Sequence, residues 1–245
     1  MALTKRVLKK IVFTRKGHKG ANGRLLVVGG SQKYHGAPLL AIEAASRFAD
    51  LVHYYSPYRP NAQVKQKSKC FITEKKLEPE KFDCVLAGNG LEANASNKRL
   101  VHCVFKKAER AVLAAGAIRM ADSFEGCVVT PHAREFEDAF GLKPGKKNAL
   151  RAAKENDCVV LLKGETDFIA SPERVVENKN GNGVLARGGT GDVLAGLCAA
   201  LHCKNPGFES ACAAAWINGR AGDKLKKKRR VFNAEDLARA LPEVL

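Results

Sequence analysis

Leu25-Leu26-Val27-Val28-Gly29-Gly30 is an apolar run closed by two glycines, the pattern of a short strand buried on both faces that ends in a turn. Pro38 then opens residues 39–49, where Leu39, Leu40, Ile42, Ala45 and Phe48 fall near one face of a helix. Proline suits a first helical turn because the N–H it lacks would have no partner there. The same succession recurs along the chain. Strands are predicted at residues 51–55, 70–73, 84–87, 127–130 and 158–162, and helices at 97–115, 132–140 and 146–156. Such alternation predicts an α/β fold with a mainly parallel central sheet flanked by helices on both faces. Beyond residue 190 only helices are predicted, at 190–202, 208–223 and 233–244.

The 245 residues can bury one large α/β core and contain nothing that reads as a linker, so residues 1–245 are expected to form a single domain. No apolar run approaches the ~20 residues that span a bilayer. Met1-Ala2-Leu3-Thr4-Lys5-Arg6 starts basic, but Ile11-Val12-Phe13 before Arg15-Lys16 is too short an apolar core for a secretory signal, and a cytoplasmic protein is expected. Eight cysteines are scattered through apolar stretches, none in a Cys-x-x-Cys pair, which predicts small buried hydrophobes in a reducing compartment rather than zinc ligands or disulfides. Lys and Arg exceed Asp and Glu by 42 to 25, a net charge of +17 that attracts polyanions. The basic residues are dispersed, however, and no aromatic stacking motif interleaves with them, so nucleic acid is not the expected partner. The one dense block, Lys224-Leu225-Lys226-Lys227-Lys228-Arg229-Arg230, reads as a solvated loop that could help capture anionic nucleotides.

Gly188-Gly189-Thr190-Gly191-Asp192, followed at once by Val193-Leu194-Ala195-Gly196-Leu197, carries the chemistry. Small residues let backbone approach a ligand, and a helix opening there aims unpaired N–H groups and a positive dipole end at it. An acidic residue beside such an anion hole makes sense as the base that takes a proton from an attacking hydroxyl, which suggests phosphoryl transfer to an alcohol. Ordinary helix capping would use the same residue types. Gly29-Gly30-Ser31, Gly88-Asn89-Gly90, Thr130-Pro131-His132 and Lys163-Gly164 each follow a predicted strand, and in open α/β sheets ligands gather at the carboxyl ends of strands. They are expected to line one crevice, although each alone could be a turn or a solvated strand end.

In order along the chain, His18-Lys19-Gly20, Val27-Val28-Gly29-Gly30-Ser31, Tyr34-His35-Gly36-Ala37-Pro38, Thr130-Pro131-His132 with Glu135, Leu162-Lys163-Gly164, the stretch 188–196 and Gly219-Arg220-Ala221-Gly222-Asp223 resemble the ADP- or ATP-dependent NAD(P)H-hydrate dehydratase family, of ribokinase-like fold. The resemblance implies repair of (S)-NADHX or (S)-NADPHX, the hydrated cofactors. A ring hydroxyl is phosphorylated from a nucleotide, with ADP expected over ATP, and loss of phosphate restores the ring double bond. Asp192 would be the base, with Gly189, Thr190 and Gly191 forming the anion hole. Ala37, Gly90, His132 and Asp192 would contact the hydrated cofactor, and Lys163, Gly164, Glu165, Thr166, Asp167 and Gly191 the nucleotide. The resemblance further implies Mg2+, with ligands the sequence does not identify, and a homo-oligomer, a tetramer in many relatives. It implies a separate epimerase as partner, because the epimerase domain that precedes the dehydratase in fused relatives has no counterpart here.

Several positions depart from the family pattern. Asn89 stands where Gly-Pro-Gly is common, Met120-Ala121-Asp122 where a strand usually ends in Asp-Ala-Asp, Asp167 where Thr is usual, Arg187 for a small hydroxyl residue and Asn218 for a His; residues 123–126 form a shorter segment than usual. Two other readings compete. One is a different ribokinase-like small-molecule kinase, such as a vitamin-precursor kinase, which would stop at the phosphorylated product. The other is a weakly active nucleotide or nucleic-acid binder, suggested by the net charge.

Overall fold

The run at 25–28 becomes the centre of a sheet because its residues are apolar on both faces and can be covered on both. A computed structural model describes residues 2–14, 18–58, 70–228 and 231–245. Strands β1 (Arg24–Val28), β2 (Leu51–Tyr55), β3 (Ile72–Thr73), β4 (Cys84–Ala87), β5 (Ala111–Leu113), β6 (Val128–Val129), β7 (Val159–Leu162), β8 (Asp167–Ala170) and β9 (Val175–Asn178) form one sheet in the order β3-β2-β1-β4-β5-β6-β7-β8-β9. Pairing is parallel from β3 through β7, and β8 and β9 add an antiparallel edge.

Eight α-helices are described: α1 (Gly36–Ala45), α2 (Ala95–Lys107), α3 (Gly116–Met120), α4 (Ala133–Phe140), α5 (Lys146–Glu155), α6 (Thr190–His202), α7 (Gly207–Lys228) and α8 (Ala234–Ala240). Period-2 alternation divides the strands between two cores. Leu25, Val27, Leu86, Val112 and Leu161 face α1, α6, α7 and α8, whereas Leu26, Val28, Val85, Leu113 and Val160 face α2, α3, α4 and α5. The mainly parallel, doubly covered α/β sheet expected from the sequence is thus the observed one. None of the described helices is long and apolar enough to cross a membrane. Six of the cysteines are buried, and burial pushes the thiols of Cys127, Cys158, Cys198 and Cys212 up to about 12, where they are unreactive hydrophobes.

Local differences from the expectation have physical causes. The helix predicted at 97–115 ends at Lys107, and Ala111-Val112-Leu113 pairs in parallel with β4 instead; tertiary pairing overrides the helical preference of an alanine-rich segment. The strand that precedes the expected acidic motif therefore ends at Leu113 and runs into Ala114-Ala115-Gly116, while Met120 closes α3, so Met120-Ala121-Asp122 is not a strand end. β8 and β9, not predicted, form a hairpin closed by Ser171 N–H donating to the Arg174 carbonyl (2.8 Å). The basic block is not a loop over Lys224–Lys228: α7 continues through it, since cations favour a helix C-terminus and Lys224 and Lys228 pair with Glu243 at 2.9 and 3.4 Å. Arg229 and Arg230, like Met1, Arg15 and Lys16, lie outside the described residues. The last predicted helix gives way at Ala240 to a 3-10 turn, Leu241–Val244, because Pro242 cannot donate to an α-helical ladder.

Packing of α1 against α6 fixes where α6 begins. A Cβ on Gly196 would lie 2.2 Å from the Ala41 carbonyl oxygen, so only glycine lets these helices approach this closely. Gly196→Ala is expected to destabilise the fold by about 1–3 kcal/mol, read as a lower urea midpoint at unchanged slope. Gly183→Ala, where an added Cβ meets nothing within 4 Å, should leave the midpoint near wild type.

Candidate active site

In a sheet where successive strands are first added on one side of β1 and then on the other, the chain reverses its direction of travel between β1 and β4, and the connections diverge to leave a crevice at their carboxyl ends. The loops that follow these two strands are Gly29-Gly30-Ser31 and Gly88-Asn89-Gly90. They are stitched together by Gly30 N–H, which donates to the Asn89 carbonyl at 2.8 Å. Asn89 is buried at 1% exposure, and its side-chain Nδ2 donates to Oδ1 of Asp192 at 2.6 Å.

Asp192 sits in the first turn of α6. Gly189 caps that helix with φ 91°, and a Cβ there would come within 2.5 Å of Leu40, so the cap needs glycine both for its dihedral and for its space. Thr190 does not offer its hydroxyl to the crevice: the Oγ1 is within bonding distance of the Leu185 (2.6 Å) and Arg187 (2.8 Å) carbonyls, tying down the loop before the helix. The Thr190 backbone N–H donates to the Arg187 carbonyl as well (3.4 Å), so it is Gly191 that presents its backbone at the positive end of the helix dipole.

A second side of the site comes from the ends of β6 and β7. Lys163 N–H donates to the Pro131 carbonyl (2.9 Å), bringing Lys163 beside His132. His132 caps α4 in a reciprocal box with Glu135: its Nδ1 accepts from Glu135 N–H (3.1 Å), which puts the ring proton on Nε2, and its own N–H donates to Glu135 Oε2 (2.9 Å). Glu135 is buried at 6% exposure, with Oε2 3.9 Å from Lys163 Nζ. That ammonium lies 3.3 Å from where a Cβ on Gly191 would be, against the start of α6. Burial pulls the Lys163 pKa below its ordinary value against the opposing pull of Glu135, Asp192 and Asp167. Burial pushes the Asp192 carboxyl above its ordinary value; the Asn89 amide and the Lys163 ammonium pull it back, and Glu135 pushes it further up.

Asn89, Asp192, Gly191, Lys163, Glu135 and His132 are therefore one connected cluster. Gly90 borders it, packed against the Tyr34 backbone just ahead of α1, and Ala37 lies in the first turn of that helix. In the turn between β7 and β8, Gly164 N–H donates to Asp167 Oδ1 (3.1 Å), and Asp167 Oδ2 accepts from the buried Asn178 (3.0 Å). The Asp167 carboxylate, raised by burial above its ordinary value, is turned onto its own loop rather than held free. Glu165 is exposed and Thr166 half-buried at the tip of that turn. Arg187 is exposed beside the helix start, and Asn218 is buried on α7 with its Oδ1 unpartnered. His18 and Lys19 lie before β1, at the amino ends of the strands, where Asp50 anchors the turn, and do not reach the site. In the late string, Asp223 accepts from Gly181 N–H (3.2 Å) and the Asn182 amide (3.3 Å), holding the loop that leads to α6. Sequence reasoning set Asn89 down as a departure and not as a site residue; an amide-bearing side chain at the end of a buried strand beside a Gly-rich turn was the available signal.

The sequence profile of the NAD(P)H-hydrate dehydratase family matches residues 25–243. The chain belongs to that family. It is 39% identical to the bifunctional NAD(P)H-hydrate repair enzyme of Archaeoglobus fulgidus over 93% of this chain and 52% of that protein. It thus spans about half the length of the bifunctional relatives it matches. To the ADP-dependent (S)-NAD(P)H-hydrate dehydratase of Cenarchaeum symbiosum it is 36% identical over 97% of this chain and 94% of that one. Among solved structures, the Bacillus subtilis ADP/ATP-dependent NAD(P)H-hydrate dehydratase co-crystallised with ATP/Mg2+ superposes with a TM-score of 0.85 at 24% identity, covering 98% of this chain and 95% of that one. A ribokinase-like protein of Enterococcus faecalis reaches 0.91 at 24% identity, covering 99% and 94%. The ribokinase-like fold implied by the sequence is therefore the observed fold.

In this member of the NAD(P)H-hydrate dehydratase family, the assignment of the Thr190 hydroxyl to the loop is open to direct test. Thr190→Val should lower stability by about 1–2 kcal/mol in urea unfolding, because two carbonyls lose their donor, while Thr190→Ser stays near wild type. A valine variant as stable as wild type would show that the hydroxyl does not serve the loop.

Proposed function

We propose that the chain converts hydrated NADH or NADPH to NADH or NADPH in a nucleotide-dependent dehydration, with ADP as phosphoryl donor. The observation that carries the reading is that a cation, Lys163, stands at the positive end of α6 with the carboxylate of Asp192 beside it. A helix N-terminus disfavours a cation unless an anion shares the site, and the base that would deprotonate an attacking hydroxyl lies one residue from Gly191. The relative of C. symbiosum, matched over nearly its whole length, is named ADP-dependent, which supports ADP over ATP.

Asp192 takes the proton of the ring hydroxyl as its oxygen forms the new bond to phosphorus, and the bond from phosphorus to the donor nucleotide breaks with its electron pair leaving on the nucleotide. The backbone N–H of Gly191, at the positive end of the α6 dipole, and the Lys163 ammonium stabilise the negative charge spread over the moving phosphoryl group, with Gly189 and Thr190 shaping the turn that presents the Gly191 N–H. The C–O bond then breaks toward phosphate, a far better leaving group than hydroxide, and a proton leaves the adjacent ring carbon to restore the double bond. Gly164, Glu165, Thr166 and Asp167, in the turn after Lys163, would hold the nucleotide through backbone; Ala37, Gly90 and His132 would border the hydrated cofactor. Among the described residues no group of three or more His, Cys, Asp or Glu is placed to hold a metal ion, so magnesium would enter as the counter-ion of the nucleotide phosphates.

Both cores share one sheet, which supports reading residues 1–245 as a single domain. The bifunctional relatives support a separate epimerase acting beside it, and the homotetramer implied by the family can be checked by light scattering. The vitamin-precursor kinase and the nucleic-acid binder are not favoured by any residue of this cluster.

With hydrated NADH and ADP, recovery of NADH absorbance should be lost by at least about 100-fold in Asp192→Asn, with ADP affinity largely kept. Unchanged turnover would remove Asp192 from the mechanism. Because its folded pKa is raised, Asp192 contributes stability at low pH that is lost as pH rises through the folded value. Asp192→Asn should therefore melt a few degrees higher than wild type at neutral pH, and the difference should vanish below the ordinary carboxylate value of 3.8.

A further inference from the structure

We propose that Asn89 is the positioning residue for the Asp192 base, holding one carboxylate oxygen so that the other is presented to the hydroxyl that loses its proton. This rests on the reading of Asp192 given above. Asn89 is fixed before it meets Asp192: it is almost fully buried at the end of β4, and its carbonyl accepts from Gly30 N–H at 2.8 Å. The two side chains, 103 residues apart in sequence, meet through a short charge-assisted hydrogen bond of 2.6 Å to Oδ1. No described residue donates a hydrogen bond to Oδ2. The carboxylate is therefore held on one side and free on the other.

Asn89 can do this in one orientation only. Turned over, its amide would set an oxygen against the carboxylate, so the contact with Asp192 determines which way the amide points. The consequence is an Oδ1 buried without a partner, which costs stability. The charged groups facing Asp192 from the other elements are Lys163, at the end of β7, and Glu135, on α4. Their pulls oppose each other, which leaves the Asn89 amide as the contact that sets direction as well as charge.

The test uses Asn89→Ala and the near-isosteric Asn89→Leu, each followed as a function of pH with hydrated NADH and ADP. In both, kcat should fall by about 10- to 100-fold with the ADP KM little changed, as expected for a misplaced base. The acidic limb of the kcat profile should move to higher pH, since an N–H donor to a carboxylate favours its ionised form. A rate loss with an unmoved limb, or a loss confined to KM, would overturn the proposal. Carbon-13 NMR titration of the Asp192 carboxyl, assigned with Asp192→Asn, gives a readout independent of turnover. The midpoint should be higher in Asn89→Leu than in wild type, and equal midpoints would overturn the proposal even if rates fell. Should wild type show no dehydration while the midpoint still moves, the proposed reaction fails and the hold of Asn89 on the carboxylate stands.

Discussion

The ammonium of Lys163 against the positive end of α6 is an unfavourable juxtaposition that the rest of the structure exists to maintain. Burial draws the pKa of this lysine down, against the opposing pull of Glu135, Asp192 and Asp167. It stays close to carboxylates because the capping box of α4 holds Glu135 in a buried position below it and because Asp192 opens the neighbouring helix. A cation and a helix N-terminus that repel each other are reconciled by an anion between them. An anionic ligand at this point would be met by electrostatic complementarity already built into the fold.

Topology makes the juxtaposition possible. The reversal between β1 and β4 opens the crevice, and the glycine contact of α6 on α1 drives the start of α6 into it. Parallel order brings the ends of β6 and β7 to the same edge, where the Lys163 and Pro131 backbones pair. Residues from five widely separated stretches thus converge because all of them lie at the carboxyl ends of strands or at the helix starts that follow. The late glycine string works at one remove: it lets the loop from Asn180 to Asn182 lie on α7, and Asp223 pins that loop so that Gly189 and Thr190 enter the helix at the required angle.

Most of this was legible in the sequence where the signal was local. Buried strands such as 25–28 and 84–87 announce themselves as short apolar runs, and Glu135 is of a type that favours a helix N-terminus; its reciprocal bonds with His132 emerge only in the structure. What was hidden depends on partners distant in sequence. Ala111-Val112-Leu113 reads as a helix because nothing local says that β4 lies beside it, and for the same reason Met120-Ala121-Asp122 reads as a strand end although Met120 closes α3. The β8 and β9 hairpin is hidden because its strands, 167–170 and 175–178, are only four residues each. Asp167 looked like an unwelcome charge near a nucleotide, yet its two acceptor oxygens are spent on Gly164 and Asn178, an arrangement that no linear pattern displays. The hydrogen bond of Asn89 to Asp192 is the extreme case, since it exists only at the point where strand order reverses.

The corrected position of the missing acidic motif changes how the charge of the site is understood. β5 runs into Ala114-Ala115-Gly116, three residues with no ionisable side chain, at the same edge of the sheet as Asn89 and Asp192. The carboxylates named in the cluster are then Asp192 and Glu135, set against one ammonium, and the nearby Asp167 is engaged by neutral donors. Further carboxylates here would have raised the Asp192 pKa by like-charge repulsion and opposed a polyanionic donor. With neutral residues at the end of β5, the Asp192 carboxyl is raised by burial, drawn back by the Asn89 amide and Lys163 and pushed up by Glu135 alone among its neighbours, and the net charge of +17 over the whole chain is left to attract anions.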